Sequence, residues 1–326
     1  MDKILLTGTD LKVSPLSLGT VNYGVKTSEK EAFYQMDAYL DAGGNFIDTA
    51  SVYGCFPPST EMHASEKVVG RWLKARNAYD KIVISTKGGH PLAGDPDFTI
   101  RLHRNELFSD VEKSLLNLGA DTIDMYFLHR DDPSMPVGEI METLEEIRKQ
   151  GKIKNYGFSN WTVKRAKQAQ EYCKKHGLSG FTMNQLMWSL AHITHEEIAD
   201  KTLIAMDREA YIWHTETQLS AMAYRSVAKG YFEKRKNGAP MRGDLVTTYK
   251  DPLNDEIYVS LLNLHAETGI PMTALSLLYF IRQPYPSVAI ASFTSDQQLH
   301  EGLSILTGDF ESEILSRIAS LRRDLK

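Results

Sequence analysis

The stretch from Thr122 to Ser159 reads TIDMYFLHRDDPSMPVGEIMETLEEIRKQGKIKNYGFS. Two short runs rich in apolar, β-branched and aromatic residues, Thr122 to Leu128 and Ile153 to Phe158, read as strands. Between them Val137 to Gln150 carries apolar residues at helical spacing. Strand, helix, strand in this order is a parallel β/α unit, because parallel neighbours need a long crossover and a helix supplies it.

The same alternation runs outward in both directions. Toward the N-terminus come strands ending at Thr20, at Asn45 to Asp48 and at Lys81 to Thr86, with helices over Glu29 to Asp41, Glu66 to Arg76 and Ser109 to Leu118. Toward the C-terminus come the helix Thr162 to His176 and strands at Gly180 to Asn184, Leu219 to Ala223 and Val288 to Ala291. Leu190 to Gln218 reads as helix plus linker, and Ile4 to Leu6 with Leu11 to Val13 as a small hairpin closing one end. Eight such strands suggest an α/β fold of one (β/α)8 barrel spanning residues 1–326, although the pattern alone also admits an open doubly wound sheet.

Composition narrows the class. The chain has 326 residues, 42% hydrophobic and 24% charged, and a formal net charge of −5. That balance gives no general attraction to nucleic acid or to an anionic membrane. The apolar runs fall short of a membrane span and no signal-like leader is evident, so a cytoplasmic location is expected. Cys55 and Cys173 cannot build a disulfide framework, and His63, His90 and His103 lack the spacing of metal ligands, so no metal is expected.

Residues able to do chemistry cluster at strand ends, where a barrel opens. Asp48 follows Phe46-Ile47, and Tyr53 comes five residues later. Lys87 follows Val83 to Thr86, and His129 follows Met125 to Leu128. Each alone has a plain explanation, such as packing for the Tyr or turn capping for the Asp. A carboxylate, a phenol, an ammonium and an imidazole at three consecutive strand ends are harder to explain that way.

These segments also carry a resemblance. Asp48-Thr49-Ala50-x-x-Tyr53-Gly54, Ser65-Glu66-x-x-x-Gly70, Ser85-Thr86-Lys87-Gly88-Gly89, Leu128-His129-Arg130-Asp131-Asp132 and Gly157-Phe158-Ser159-Asn160 look like the motifs of the aldo-keto reductase family, in order, along most of the chain. The resemblance implies hydride exchange between NADP(H) or NAD(H) and a small-molecule carbonyl or alcohol. Tyr53 would act as proton donor with its pKa lowered by Lys87, Asp48 would pair with Lys87, and His129 would orient the substrate oxygen. It further implies Ser159, Asn160 and Gln185 at the nicotinamide carboxamide and Tyr224 stacked on the ring. Arg225, Ser226, Lys229, Ser292 and Thr294 would hold phosphate, with Gln298 and Glu301 near the adenosine end. Tyr23, Trp161, Trp188 and His90 are candidate substrate-facing groups. Asp131, Asp132, His90 and Arg104 at the mouth would suit a sugar.

Three departures bear on function. Ser292 to Gly302 contains no Lys or Arg, with Gln298 where the family often has Arg and Gly302 where it often has Asn, which favours NAD(H) or dual use unless Thr294, Ser295 or Lys234-Arg235-Lys236 compensates. The loop Gly54 to Ala64 is longer than in typical members. No Gly-x-Gly-x-x-Gly occurs, which argues against a Rossmann site. Two other readings stand beside the oxidoreductase: a cofactor-sensing partner subunit with little turnover, and a barrel aldolase using Lys87 as a Schiff-base amine.

Overall fold

The computed structural model describes residues 2–55 and 61–326. Among the described residues ten strands form: β1 (Ile4–Leu5), β2 (Lys12–Val13), β3 (Leu16–Gly19), β4 (Phe46–Asp48), β5 (Val83–Gly88), β6 (Ile123–Leu128), β7 (Ile153–Ser159), β8 (Met183–Met187), β9 (Ser220–Tyr224) and β10 (Ser287–Ala291). β1 and β2 pair antiparallel; β3 to β10 are parallel neighbours and close into a barrel when β10 meets β3. The open-sheet alternative is thereby excluded, and the barrel with its N-terminal hairpin is the fold.

Two apolar cores sit on opposite sides of the barrel wall. The inner one is small: Phe46, Met125, Phe127, Met183, Met222, Val288 and Ile290, stoppered by Leu6, Leu11 and Val13 around the hairpin. The outer one, between sheet and helices, holds most of the buried side chains. Because strand side chains alternate faces, inward Phe46, Phe127, Met183 and Met222 put Asp48, His129, Gln185 and Tyr224 inward two residues later. Gly157 lies on that inner face, where a Cβ would come within 2.7 Å of the Phe127 ring, so only glycine leaves room for it.

Helix boundaries follow local chemistry. The helix Glu29–Asp41 begins at a capping box, with Ser28 and Glu31 exchanging side-chain and backbone bonds. The sixth strand of the sequence reading shifts: β8 starts at Met183 rather than Gly180, because Gly177 and Gly180 both adopt left-handed φ and keep the chain turning. Between β8 and the helix Arg208–Thr217 runs a long segment with only a short 3-10 turn at His195–Glu197. Four helices, Tyr231–Lys236, Gly243–Tyr249, Pro252–Thr268 and Met272–Leu278, fill the connection from β9 to β10. Among the described residues no helix is long and apolar enough to cross a membrane.

Candidate active site

Asp48, Lys87, Tyr53 and His129 meet at the C-terminal end of the barrel. Lys87 is fully buried, and its Nζ donates to Asp48 Oδ2 at 2.6 Å, to the Thr49 carbonyl at 2.7 Å and to the Tyr53 hydroxyl at 3.1 Å. The other Asp48 oxygen accepts from Ser85 Oγ at 2.8 Å and Gln185 Nε2 at 2.9 Å. Tyr53 reaches this cluster from a loop tied down on both sides: Ser51 N donates to the Lys87 carbonyl, and Ser65 N to the Tyr53 carbonyl. The Ser65-Glu66 pair serves this anchoring, for Ser65 Oγ lies 2.9 Å from Thr49 Oγ1 and Glu66 Oε1 accepts from Thr86 Oγ1 at 2.5 Å. Residues 56–60 of the loop Gly54 to Ala64, expected to be longer than in typical members, lie outside the described residues.

The electrostatics depart from expectation at Tyr53. Burial pushes its phenol up, Lys87 pulls it down and Asp48 pushes it up again, and the net position is above the ordinary value. The expected lowering by Lys87 is therefore offset by desolvation, and the group is a protonated donor at neutral pH. Burial works against the Lys87 charge, yet Asp48 and Tyr53 more than compensate and its pKa is raised. His129 is held well below the ordinary histidine value by burial, then by His90, Arg130 and Lys87, so its imidazole is neutral. Its Nδ1 is buried without a hydrogen-bond partner, and its ring lies edge-on to Tyr53, centroids 6.1 Å apart. Burial also pushes the Cys55 thiol up, away from reactive thiolate character.

A cavity of about 610 Å³ opens over this cluster. Asp48, Tyr53, His129, Ser159, Asn160, Gln185, Tyr224, Arg225, Ser226 and Ser292 all line it. So do Asn22, Lys26, Arg130, Leu203 and Val227, none of them a site candidate from sequence. Leu203 belongs to the irregular segment after β8, where no periodicity signals a role. Ser226 and Ser292 hold the rim in place, donating to the carbonyls of Ile290 and Gly19 at 2.5 and 2.7 Å.

Asn160, with left-handed φ of 62°, is saturated. Its Nδ2 donates to the His129 carbonyl and to Ser159 Oγ, while its Oδ1 accepts from the Tyr224 hydroxyl at 2.7 Å and from Ile204 N at 3.1 Å. In contrast, donation by Gln185 Nε2 to Asp48 leaves Gln185 Oε1 as the acceptor of that amide.

Several candidates fall elsewhere. Trp161 and Trp188 are in the outer core, not at the cavity: Trp161 packs on Phe158 and Phe181, and Trp188 on Tyr279 and Phe280. Their positions on or beside strand ends point them outward, under the helices. Tyr23 is likewise buried, its hydroxyl donating to Gln35 Oε1 at 2.9 Å. His90 does reach the site, its ring 4.9 Å from that of His129 with Phe98 edge-on behind it at 5.5 Å. The charged residues expected to line the mouth for a sugar are engaged away from it: Asp131 by Arg165, Arg104 by Glu146, and Asp132 by Ser134.

The adenosine-side candidates lie beyond the cavity lining. Thr294 is exposed and donates through N and Oγ1 to Gln298 Oε1, at 3.0 and 2.9 Å, and Glu301 accepts from Gln297. At Gly302 a Cβ would sit 2.4 Å from the Phe293 ring, so no larger residue fits there. Lys234 donates to the Lys229 carbonyl, and Arg235 pairs with Asp255. Among the described residues, no group of three or more His, Cys, Asp or Glu could hold a metal ion.

A family model described as the aldo/keto reductase family matches residues 15–323. A norsolorinic acid reductase of Emericella nidulans is 27% identical over 308 residues, covering 90% of this chain and 75% of the relative. An uncharacterized oxidoreductase of Bacillus subtilis, YrpG, is 27% identical over 97% of this chain and 94% of its own. An aryl-alcohol dehydrogenase of Phanerodontia chrysosporium, named for NADP(+), is 30% identical over 57% of this chain and 51% of its own.

Proposed function

The chain belongs to the aldo/keto reductase family, and from that premise we propose that it interconverts a carbonyl and an alcohol using NAD(P)(H). The observation that carries this reading is the buried triad of Asp48, Lys87 and Tyr53 beside a neutral His129, facing one cavity. When bound, the nicotinamide supplies or takes a hydride.

The chain's own residues handle the proton and the geometry. Tyr53 donates its hydroxyl proton to the carbonyl oxygen as that oxygen gains charge, and Lys87 stabilises the phenolate left behind. Asp48 keeps Lys87 charged and fixed. His129, neutral, donates one ring N–H to the same oxygen and aligns it with Tyr53. In the reverse direction Tyr53 and Lys87 return the proton path. Lys87 spends its three N–H groups on Asp48, Thr49 and Tyr53, which disfavours the Schiff-base alternative, since a nucleophilic amine needs a free lone pair.

The cavity suits the nicotinamide end of the cofactor. Gln185, through its free Oε1, and the Ser159 hydroxyl would hold the nicotinamide carboxamide. Saturated Asn160 positions Ser159 and Tyr224 rather than binding the carboxamide itself. Tyr224 offers the ring face. With Lys234 and Arg235 engaged elsewhere and no basic residue from Ser292 to Gly302, the 2′-phosphate of NADP(H) gains little here, so NAD(H) competes well.

For substrate, the rings of His90 and Phe98 packed behind His129 favour an aryl carbonyl over a sugar, in keeping with the relative named an aryl-alcohol dehydrogenase. Titration with NADH and NADPH, followed by turnover of aryl aldehydes, tests the proposal. Failure of both cofactors to bind at millimolar concentration overturns it.

A further inference from the structure

Arg130 follows β6 directly after His129, and its side chain turns inward rather than into solvent. The residue is 7% exposed and lines the cavity over Tyr53. Its charge reaches the groups around it. After burial, it is the next influence holding the His90 imidazole down, to about 4, and it opposes burial at the Tyr224 phenol.

A guanidinium has five N–H groups. Here Nε donates to Thr202 Oγ1 at 2.9 Å, Nη1 to the His129 carbonyl at 2.9 Å and Nη2 to Asp200 Oδ2 at 3.3 Å. One N–H on each terminal nitrogen is left, the number that a bidentate carboxylate takes. The counterion is also weak. Asp200 makes a single contact, and its side chain is 40% exposed, so water shares its charge. Comparably buried arginines are answered more fully. Arg322 meets both Asp324 oxygens at 2.8 Å, and Arg101 meets both Asp110 oxygens at 2.8 and 2.9 Å. A desolvated cation held this loosely keeps an attraction for a further anion.

The cofactor's pyrophosphate is a poor candidate for that anion. The barrel order β10-β3-β4-β5-β6-β7-β8-β9 sets β6 opposite β10, so Arg130 stands across the mouth from Ser292. The other phosphate-side residues of the lining, Arg225, Ser226 and Lys229, follow β9. Arg130 stands instead beside His129, where the proposed reaction places the carbonyl, so the group it meets belongs to the substrate.

We propose that Arg130 determines substrate choice by binding a carboxylate carried on the same molecule as the reacting carbonyl, an aryl aldehyde or ketone with an acid group on its ring. This rests on the hydride-transfer reading of the cavity and adds the charge of the substrate to it.

The test uses the full chain and has two arms. Benzoate and its uncharged counterpart benzamide are titrated calorimetrically with and without oxidised cofactor. As substrates, 3- and 4-carboxybenzaldehyde are compared with their methyl esters. We expect benzoate to bind roughly tenfold tighter than benzamide, and at least one acid to exceed its ester roughly tenfold in kcat/KM, as one charge-assisted contact provides. Arg130→Met should abolish both preferences. Asp200→Asn removes the competing carboxylate from a partly exposed position and should tighten benzoate binding roughly threefold. A purely structural role for Arg130 would lower acid and ester together and leave their ratio unchanged. That result overturns the proposal, as does benzoate binding no tighter than benzamide. Benzoate bound through Arg130 without turnover of any aldehyde overturns the proposed reaction and upholds the anion site. Should Arg130→Met not fold, the wild-type preferences and Asp200→Asn decide.

Discussion

Lys87 and Asp48 form an ion pair with neither side chain more than 1% exposed, Nζ to Oδ2 at 2.6 Å, inside the mouth of the barrel. Removing one partner of such a pair leaves a buried charge unanswered, which costs about 3–5 kcal/mol, whereas removing both together is far milder. Lys87→Met should therefore lower stability by that order, and Lys87→Met/Asp48→Asn should recover most of it. Urea midpoints of the two variants check this; equal losses would mean that the pair is not coupled.

Tyr53→Phe keeps the ring and deletes the proton. Carbonyl reduction should fall by about 10²–10⁴-fold in kcat/KM while cofactor affinity stays within about twofold, since general acid catalysis is worth that range. A variant retaining near wild-type turnover would transfer the donor role to another group.

Burial, and Asp48 after it, hold Tyr53 above the ordinary phenol value, and burial holds His129 well below the ordinary histidine value. Both groups thus keep one protonation state through neutrality: phenol protonated, imidazole neutral. Reduction should show no inflection near pH 6.5 and lose rate only on the alkaline side, whereas alcohol oxidation should gain rate as pH rises. A reduction profile with a limb near pH 6.5 would contradict the assignment of His129.

Asn160 has both amide protons and both lone pairs of its oxygen in use. Ser159→Ala and Gln185→Leu should weaken nicotinamide binding directly, by about tenfold each for a lost hydrogen bond. Tyr224→Phe, which removes only the bond to Asn160, should weaken it by less. Fluorescence titration of the three variants with NADH ranks them, and a Tyr224→Phe effect equal to the others would make Asn160 a direct ligand. On the adenosine side, Gln298→Arg should raise affinity for NADPH roughly tenfold and leave NADH unchanged, through a charge-assisted contact to the 2′-phosphate.

His214 is buried with its pKa lowered to about 4, first by desolvation. In the unfolded chain it titrates near 6.5, so below that pH the unfolded state binds a proton that the folded state does not. Its contribution to stability is complete above pH 6.5 and declines toward pH 4, by about 2 kcal/mol at pH 5. Guanidine melts at pH 7 and pH 5 should show a smaller acid loss in His214→Gln than in the wild type; an identical loss would place the acid sensitivity elsewhere.

The sequence by itself determined the repeat of strand and helix, because a period of two and a period near 3.6 are properties of neighbouring residues. It likewise marked Asp48, Lys87 and His129, since a polar residue closing an apolar run is visible without any contact. Barrel closure was not visible: whether β10 meets β3 depends on strand pairing between residues 273 positions apart, Ala289 with Leu16 among others. Only the tertiary structure decided which aromatic residues reach the cavity. Trp161 and Trp188 stand beside cofactor-side residues in sequence, yet lie across the wall from them, because both come just after their strands end and the chain turns there, at left-handed Asn160 before Trp161. The same holds for Tyr53, whose pKa is set by the balance of burial, Lys87 and Asp48, groups that local sequence names but only the folded packing weighs against one another.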